Sequence, residues 1–160
     1  MNFRTDILPL KDKLFRLALR LTMQREEAED IVQEVMIKLW NNRENWPNIE
    51  NIESYAMTMC HHQSLDHLRK KNLNVMPLDS APEVDKGINP YAQIYAQEQL
   101  RQVHELMAQL PEKQRMCMHL RDFEGKNYKE IAQILQISED QVKINIYRAR
   151  NFIKKSCTQV

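Results

Sequence analysis

Apolar side chains recur along this chain three and four positions apart, a spacing that predicts a series of amphipathic helices. Leu10, Leu14, Leu17, Ala18 and Leu21 mark the first, beginning near Pro9, which suits a first turn because its missing N–H would have no helical partner. A corner over residues 22–25 leads into a second helix over 26–41, with Ala28, Ile31, Val32, Val35 and Leu39 as its buried stripe. At about 100° per residue, this turns Asp30, Gln33, Glu34 and Ile37 to the opposite side. A single exposed isoleucine is ordinary. An apolar anchor inside an acidic, amide-bearing rim is also how the centre of a protein-docking patch is built. Spacing alone leaves both readings of Ile37 open.

Pro47 and the asparagines around it predict a loop, after which Ile52, Tyr55, Ala56, Met59 and Cys60 share one helical face. The register then fails. Gln63 stands where the stripe should continue, and Leu65 and Leu68 fall far round the wheel, so a break or loop is expected over 61–64. Arg69, Lys70 and Lys71 close the segment with charge that can hold a phosphate backbone. Residues 72–90 carry Pro77, Pro82, Gly87 and Pro90 with few apolar side chains and no sustained period. They predict a flexible linker, taken as 73–90, between domains at 1–72 and 91–160.

From Tyr91 the helical signal returns with Ile94, Tyr95, Val103, Leu106, Met107 and Leu110, and Pro111 opens a shorter helix over 112–122. Gly125 offers the positive φ for the next turn. Asn127 followed by Glu130 fits a capping box, so a helix starts at Tyr128 with Ile131, Ile134 and Leu135 on one face. After a corner at Gln136 and Ile137, Ser138 can cap a last helix, with Glu139 and Asp140 in its first turn, running to about Lys155. The core formed by these four helices is small, and marginal without a larger assembly.

Val142, Ile146, Ala149 and Ile153 form the buried stripe of the last helix and leave Gln141, Lys143, Ile144, Asn145, Tyr147, Arg148 and Arg150 on its flanks and outer face. Lys and Arg can meet phosphates or guanine edges, Gln and Asn can pair with adenine, and Ile144 can touch a thymine methyl. The plainer alternative is a solvated basic helix whose cations complement its own C-terminus. The coincidence of corner, caps and base-capable face favours a helix-turn-helix laid on DNA.

With 160 residues, two glycines and 42% apolar side chains, the chain reads as all-α, made of two small helical domains with the helix-turn-helix in the C-terminal one. Nothing resembles a signal peptide and no apolar run approaches the ~20 residues that span a bilayer, so a cytoplasmic protein without membrane insertion is expected. Cys60, Cys117 and Cys157 are odd in number and far apart, which predicts reduced thiols. A net charge of +1 looks wrong for a DNA binder until its distribution is seen. The second helix is acidic, whereas Arg69 to Lys71 and the last helix, with Lys143, Arg148, Arg150, Lys154 and Lys155, are basic. Two kinds of partner are implied.

Cys60, His61, His62 and His67 invite a zinc reading. Adjacent Cys-His-His on a helix points in divergent directions, and no second ligand cluster follows at a zinc spacing, so neither metal nor cofactor is expected.

Two stretches, AEDIVQEVMIKLW at 28–40 and LPEKQRMCMHLRDFEGKNYKEIAQILQISEDQVKINIYRAR at 110–150, resemble regions 2 and 4 of the extracytoplasmic-function sigma factors of the sigma-70 family. These are the small promoter-recognition subunits of bacterial RNA polymerase. The resemblance covers nearly the whole chain. It implies that Asp30, Gln33, Glu34 and Ile37 face the clamp of the polymerase β′ subunit, while the flap of the β subunit is a second contact. It implies that residues 52–71 read and open the −10 element, through Tyr55, a base-capturing loop at His61, His62, Gln63 and Ser64, and the basic Arg69, Lys70 and Lys71. Capture of a flipped base must offset an unpairing cost of a few kcal/mol. Tyr55 stands where the family has an aromatic, usually Trp, and a packed core tyrosine is the alternative. In region 4 the −35 contacts fall to Gln141, Lys143, Ile144, Asn145, Tyr147 and Arg148. An anti-sigma factor is a further family expectation.

The implied protein catalyses nothing and is a specificity subunit that binds core polymerase and promoter DNA. Two other classes compete with it: a stand-alone dimeric helix-turn-helix regulator that binds operators by itself, and a metal-dependent enzyme built on Cys60 and its histidine neighbours.

Overall fold

The structure, a computed structural model, describes residues 2–74 and 98–158. Among them every regular element is helical. Asn2 accepts a hydrogen bond from the Arg4 N–H and opens a wide turn, Phe3–Ile7, followed by a tight one, Leu8–Leu10, with Pro9 in its first positions. Helix α1 then runs Lys11–Thr22 and α2 Arg25–Asn41, joined by a corner in which Met23 takes the left-handed conformation. All five residues of the α2 stripe are buried, from Ala28 to Leu39.

After a tight turn at Arg43–Asn48, α3 spans Ile52–Asn74 without interruption. The break expected over 61–64 is absent. The register fails there because α3 packs against several neighbours, with α1, α2 and α6 all lying on it. A helix enclosed on several sides has no single apolar stripe. Its end also lies two residues inside the expected linker. The rest of that linker, and the expected helix start at Tyr91 with Ile94 and Tyr95, lie outside the described residues.

In the second half, α4 runs Glu98–Met107 and α5 Glu112–Met118, the latter continued by one widened turn, His119–Phe123, in which the Glu124 N–H reaches the His119 carbonyl. Gly125 has a φ of 68°. There follow α6, Tyr128–Leu135, and α7, Glu139–Thr158, crossing through Gln136 in the left-handed conformation.

The two halves share one core. Leu14, Leu17, Ala56 and Cys60 of the first belong to the same buried cluster as Met116, Leu120, Ile131, Ile134 and Ile146 of the second. The small core expected after residue 91 is therefore completed by α1 and α3. Met107, Leu110, Met118, Ala149 and Ile153 form a satellite cluster under α4.

Candidate nucleic-acid and partner interfaces

The helix-turn-helix is fixed by two reciprocal caps. Asn127 Oδ1 accepts from the Glu130 N–H at 2.8 Å while Glu130 receives the Asn127 N–H at 3.4 Å. Ser138 Oγ accepts from the Gln141 N–H at 3.1 Å, and the Gln141 amide oxygen accepts the Ser138 N–H at 3.0 Å. Each cap satisfies N–H groups that a helix start leaves orphaned. The caps set the angle at which α7 leaves the corner.

On α7 the stripe of Val142, Ile146, Ala149 and Ile153 is buried, and Lys143, Ile144, Tyr147 and Arg148 are exposed, Tyr147 to 69%. Two expected contacts are partly engaged within the protein: Gln141 in the cap, and Asn145, whose amide donates to the Gln141 carbonyl at 2.8 Å. Arg150 is held in a two-pronged ion pair with Asp122, Nε to Oδ2 at 3.1 Å. The exposed outer face thus offers two cations, of which Lys143 Nζ lies 5.9 Å from the Tyr128 ring, an aromatic ring and a branched apolar side chain, which is chemistry for phosphates and base edges.

On α2, Asp30, Gln33, Glu34 and Ile37 are all exposed, Ile37 to 59%. Gln33 and Ile37 stand on the rim of a groove of about 690 Å³ whose walls include Phe3, Leu8, Phe15 and Met36. Sequence reasoning missed this groove, because Phe3 and Leu8 precede the first helix and belong to no stripe. It also missed an aromatic cluster in which Phe3 packs edge-on to Trp40 at 5.4 Å and the Arg43 guanidinium lies 4.5 Å above the Trp40 ring. Buried Trp46, which donates its indole N–H to the Leu39 carbonyl, anchors that cluster.

The expected −10 residues are divided by α3. His62, Arg69 and Lys70 are exposed; Arg69 pairs with Asp66 at 3.1 Å, and Lys71 with Glu27 at 2.7 Å. Tyr55 is half-buried and accepts from the Asn42 amide at 3.1 Å. Gln63 lies between Glu34 and Lys38 of α2. His61 and Ser64 are buried, with Ser64 Oγ donating to the Cys60 carbonyl at 2.8 Å. Burial, helped by His62, pushes the His61 imidazole down to about 4. Burial likewise pushes the Cys60 thiol up to about 12, while its S–H points to the Leu14 carbonyl. His67 faces Glu27. The four side chains of the zinc reading therefore do not converge, and among the described residues no group of three His, Cys, Asp or Glu side chains is placed to hold a metal ion.

An all-α chain ending in a capped helix-turn-helix with a basic outer face falls in the class of DNA-binding transcription proteins. Residues 7–73 match the family described as Sigma-70 region 2, and residues 100–153 match Sigma-70, region 4. The chain is 30% identical to the RNA polymerase sigma factor SigV of Bacillus subtilis, covering 97% of this chain and 90% of that one. It is also 30% identical to the RNA polymerase sigma-H factor of Pseudomonas aeruginosa, covering 94% and 84% of the two chains. The ECF RNA polymerase sigma factor SigW of Bacillus subtilis is 27% identical, over 91% and 83%. Among solved structures, the sigma factor RpoE crystallised with the anti-sigma factor NepR from Bartonella quintana shares the fold, with a TM-score of 0.77 at 20% identity over 96% of this chain and 94% of that one. The chain belongs to the sigma-70 family of RNA polymerase sigma factors. That membership sets aside the stand-alone operator-binding dimer.

Proposed function

We propose that this protein is a sigma factor of the extracytoplasmic-function type, acting in the cytoplasm without a catalytic step of its own. Residues 1–72 serve as region 2 and 91–160 as region 4, with 73–90 between them. Asp30, Gln33, Glu34 and Ile37 dock on the clamp of the β′ subunit, with the β flap as a second contact. Tyr55, His61 to Ser64 and the basic run from Arg69 to Lys71 take the −10 element. Gln141, Lys143, Ile144, Asn145, Tyr147 and Arg148 take the −35 element. An anti-sigma factor regulates access to these surfaces.

The observation that carries this reading is the separation of two chemically opposite exposed faces: Ile37 within the acidic rim of α2, and Lys143, Ile144, Tyr147 and Arg148 on α7. The first suits a protein partner and the second DNA. Near-neutral net charge fits a factor that binds DNA only as part of a larger complex, because phosphate neutralisation alone then supplies little affinity. The test is run-off transcription with core polymerase over a random promoter library. Transcripts from a defined pair of elements are expected with core and sigma together; tight promoter binding by the isolated chain would overturn the reading.

A further inference from the structure

Asn42, which caps the C-terminus of α2, is held through its backbone and its side chain together. Its N–H closes the helix on the Lys38 and Leu39 carbonyls at 3.1 and 3.2 Å, and its own carbonyl accepts the Asn45 N–H at 3.0 Å. Asn45 also donates its side-chain amide to Asn42 Oδ1 at 2.6 Å, so Asn42 Nδ2 is turned to α3 and donates to the Tyr55 hydroxyl oxygen at 3.1 Å. Tyr55 is fixed from its own end as well. Its N–H reaches the Asn51 carbonyl at 3.0 Å, and Asn51 Oδ1 accepts from the Ser54 N–H at 3.1 Å at the start of α3. The Tyr55 ring packs against the main core.

The order of these hydrogen bonds decides what the phenol can still do. An amide nitrogen only donates, so with Asn42 Oδ1 taken by Asn45 the Tyr55 oxygen is the acceptor, and its own hydrogen is left for another group. Among the described residues none takes it. Gln63, also expected on the −10 element and also bonded to α2, differs: its amide nitrogen donates to Glu34 while its oxygen accepts from Lys38. A donor aimed by a fixed neighbour gives up little freedom when an acceptor arrives. Phosphate oxygens and the base edges of an unpaired strand are such acceptors.

We propose that Asn42 is a positioning residue for Tyr55: held by Asn45, its amide occupies the phenol oxygen and leaves the Tyr55 hydroxyl as a hydrogen-bond donor to the opened DNA strand. The strand contact rests on the assignment of Tyr55 to the −10 element; the relay from Asn45 through Asn42 to Tyr55 does not.

The full chain, with core polymerase and a promoter recovered from the random library, tests the strand contact. Tyr55→Phe removes the hydroxyl and keeps the ring; Asn42→Asp keeps the shape and turns the donor into an acceptor that captures the phenol hydrogen. Each is expected to slow promoter opening, read as permanganate reactivity of unpaired thymines, by about three- to tenfold, the contribution of one neutral hydrogen bond. Combined, they are expected to open the promoter no more slowly than Tyr55→Phe alone, because the carboxylate then has no hydroxyl to capture. A loss confined to one −10 position places the acceptor on a base edge and a loss shared by all sequences places it on a phosphate oxygen, both in support. Opening at the wild-type rate by Tyr55→Phe would overturn the proposal. So would an Asn42→Asp defect of equal size in both backgrounds, which is what charge repulsion or a packing fault produces. Should Asn42→Asp not fold, Asn42→Ala enters the same comparison. The relay is tested without polymerase, by urea unfolding of Tyr55→Phe, Asn42→Ala and their combination: coupling between the two positions is expected, and strict additivity would overturn the relay. A wild type that gives no core-dependent transcript overturns the −10 assignment and with it the strand contact, while the unfolding cycle still decides the relay.

Discussion

Gln63 of α3 donates its side-chain amide to Glu34 of α2 at 2.5 Å, and the same side chain accepts from Lys38 at 2.5 Å. One residue expected on DNA is thereby fastened to one expected on polymerase, so the two surfaces of the first half meet along this contact.

Gln33→Ala combined with Ile37→Asp is expected to abolish co-purification with core polymerase. Both side chains are exposed and stand on the groove rim, so circular dichroism and thermal midpoint should stay near wild type. Charge introduced at the centre of an apolar anchor is costly because it cannot be desolvated without a partner. Undiminished co-purification rejects the docking surface.

Arg148→Ala is expected to weaken promoter-dependent transcription by about 1–3 kcal/mol if the guanidinium reads a base, with relaxed preference at one −35 position. Arg148 is exposed beside Tyr147 on α7. A variant with unaltered −35 preference excludes base readout by this residue.

The two left-handed residues around the helix-turn-helix predict opposite stability changes. Gly125 has a φ of 68° and open space where a Cβ would stand, so Gly125→Ala should cost about 1 kcal/mol of backbone strain alone. Gln136 has a φ of 56° and caps α6 with its N–H on the Ala132 carbonyl, so Gln136→Gly should gain about 1 kcal/mol. Denaturant unfolding of the two variants measures both signs.

The packed arrangement of the two halves, closed around their shared core, should weaken in mild acid. Burial, then Arg20, then His119 hold His104 down to about 3. Burial likewise lowers His119 to about 4, with Arg20 and Arg16 adding to that effect and Glu124 opposing it. Imidazoles lowered on closing have the opened state as their proton acceptor. The closed state is therefore at full strength above about pH 6.5 and loses up to about 1.4 kcal/mol per histidine for each pH unit below it, until the closed-state values are reached. Burial alone would raise Glu124, but hydrogen bonds from His119 and Arg16 and their charges bring it to about 2, so its contribution fades only below about 4.5. Scattering between pH 7.5 and 5 should show expansion; an unchanged radius of gyration contradicts this linkage.

The sequence by itself determined the stripes of α2 and α7, the caps of the helix-turn-helix and the two exposed faces. The stripes of α2 and α7, the Asn127–Glu130 capping box and the positive φ at Gly125 could be read because each depends on neighbours within a turn or two of the chain. The course of α3 through 61–64 could not, because its apolar residues answer to three packing partners and their summed pattern imitates a break. Nor could the burial of Leu19 and Arg20, which lie on a flank of α1 that any local reading assigns to solvent. Only the tertiary structure brought His104 and His119 to Arg20, across 84 and 99 positions of chain, because a buried guanidinium takes its partners from packing and no periodicity encodes them.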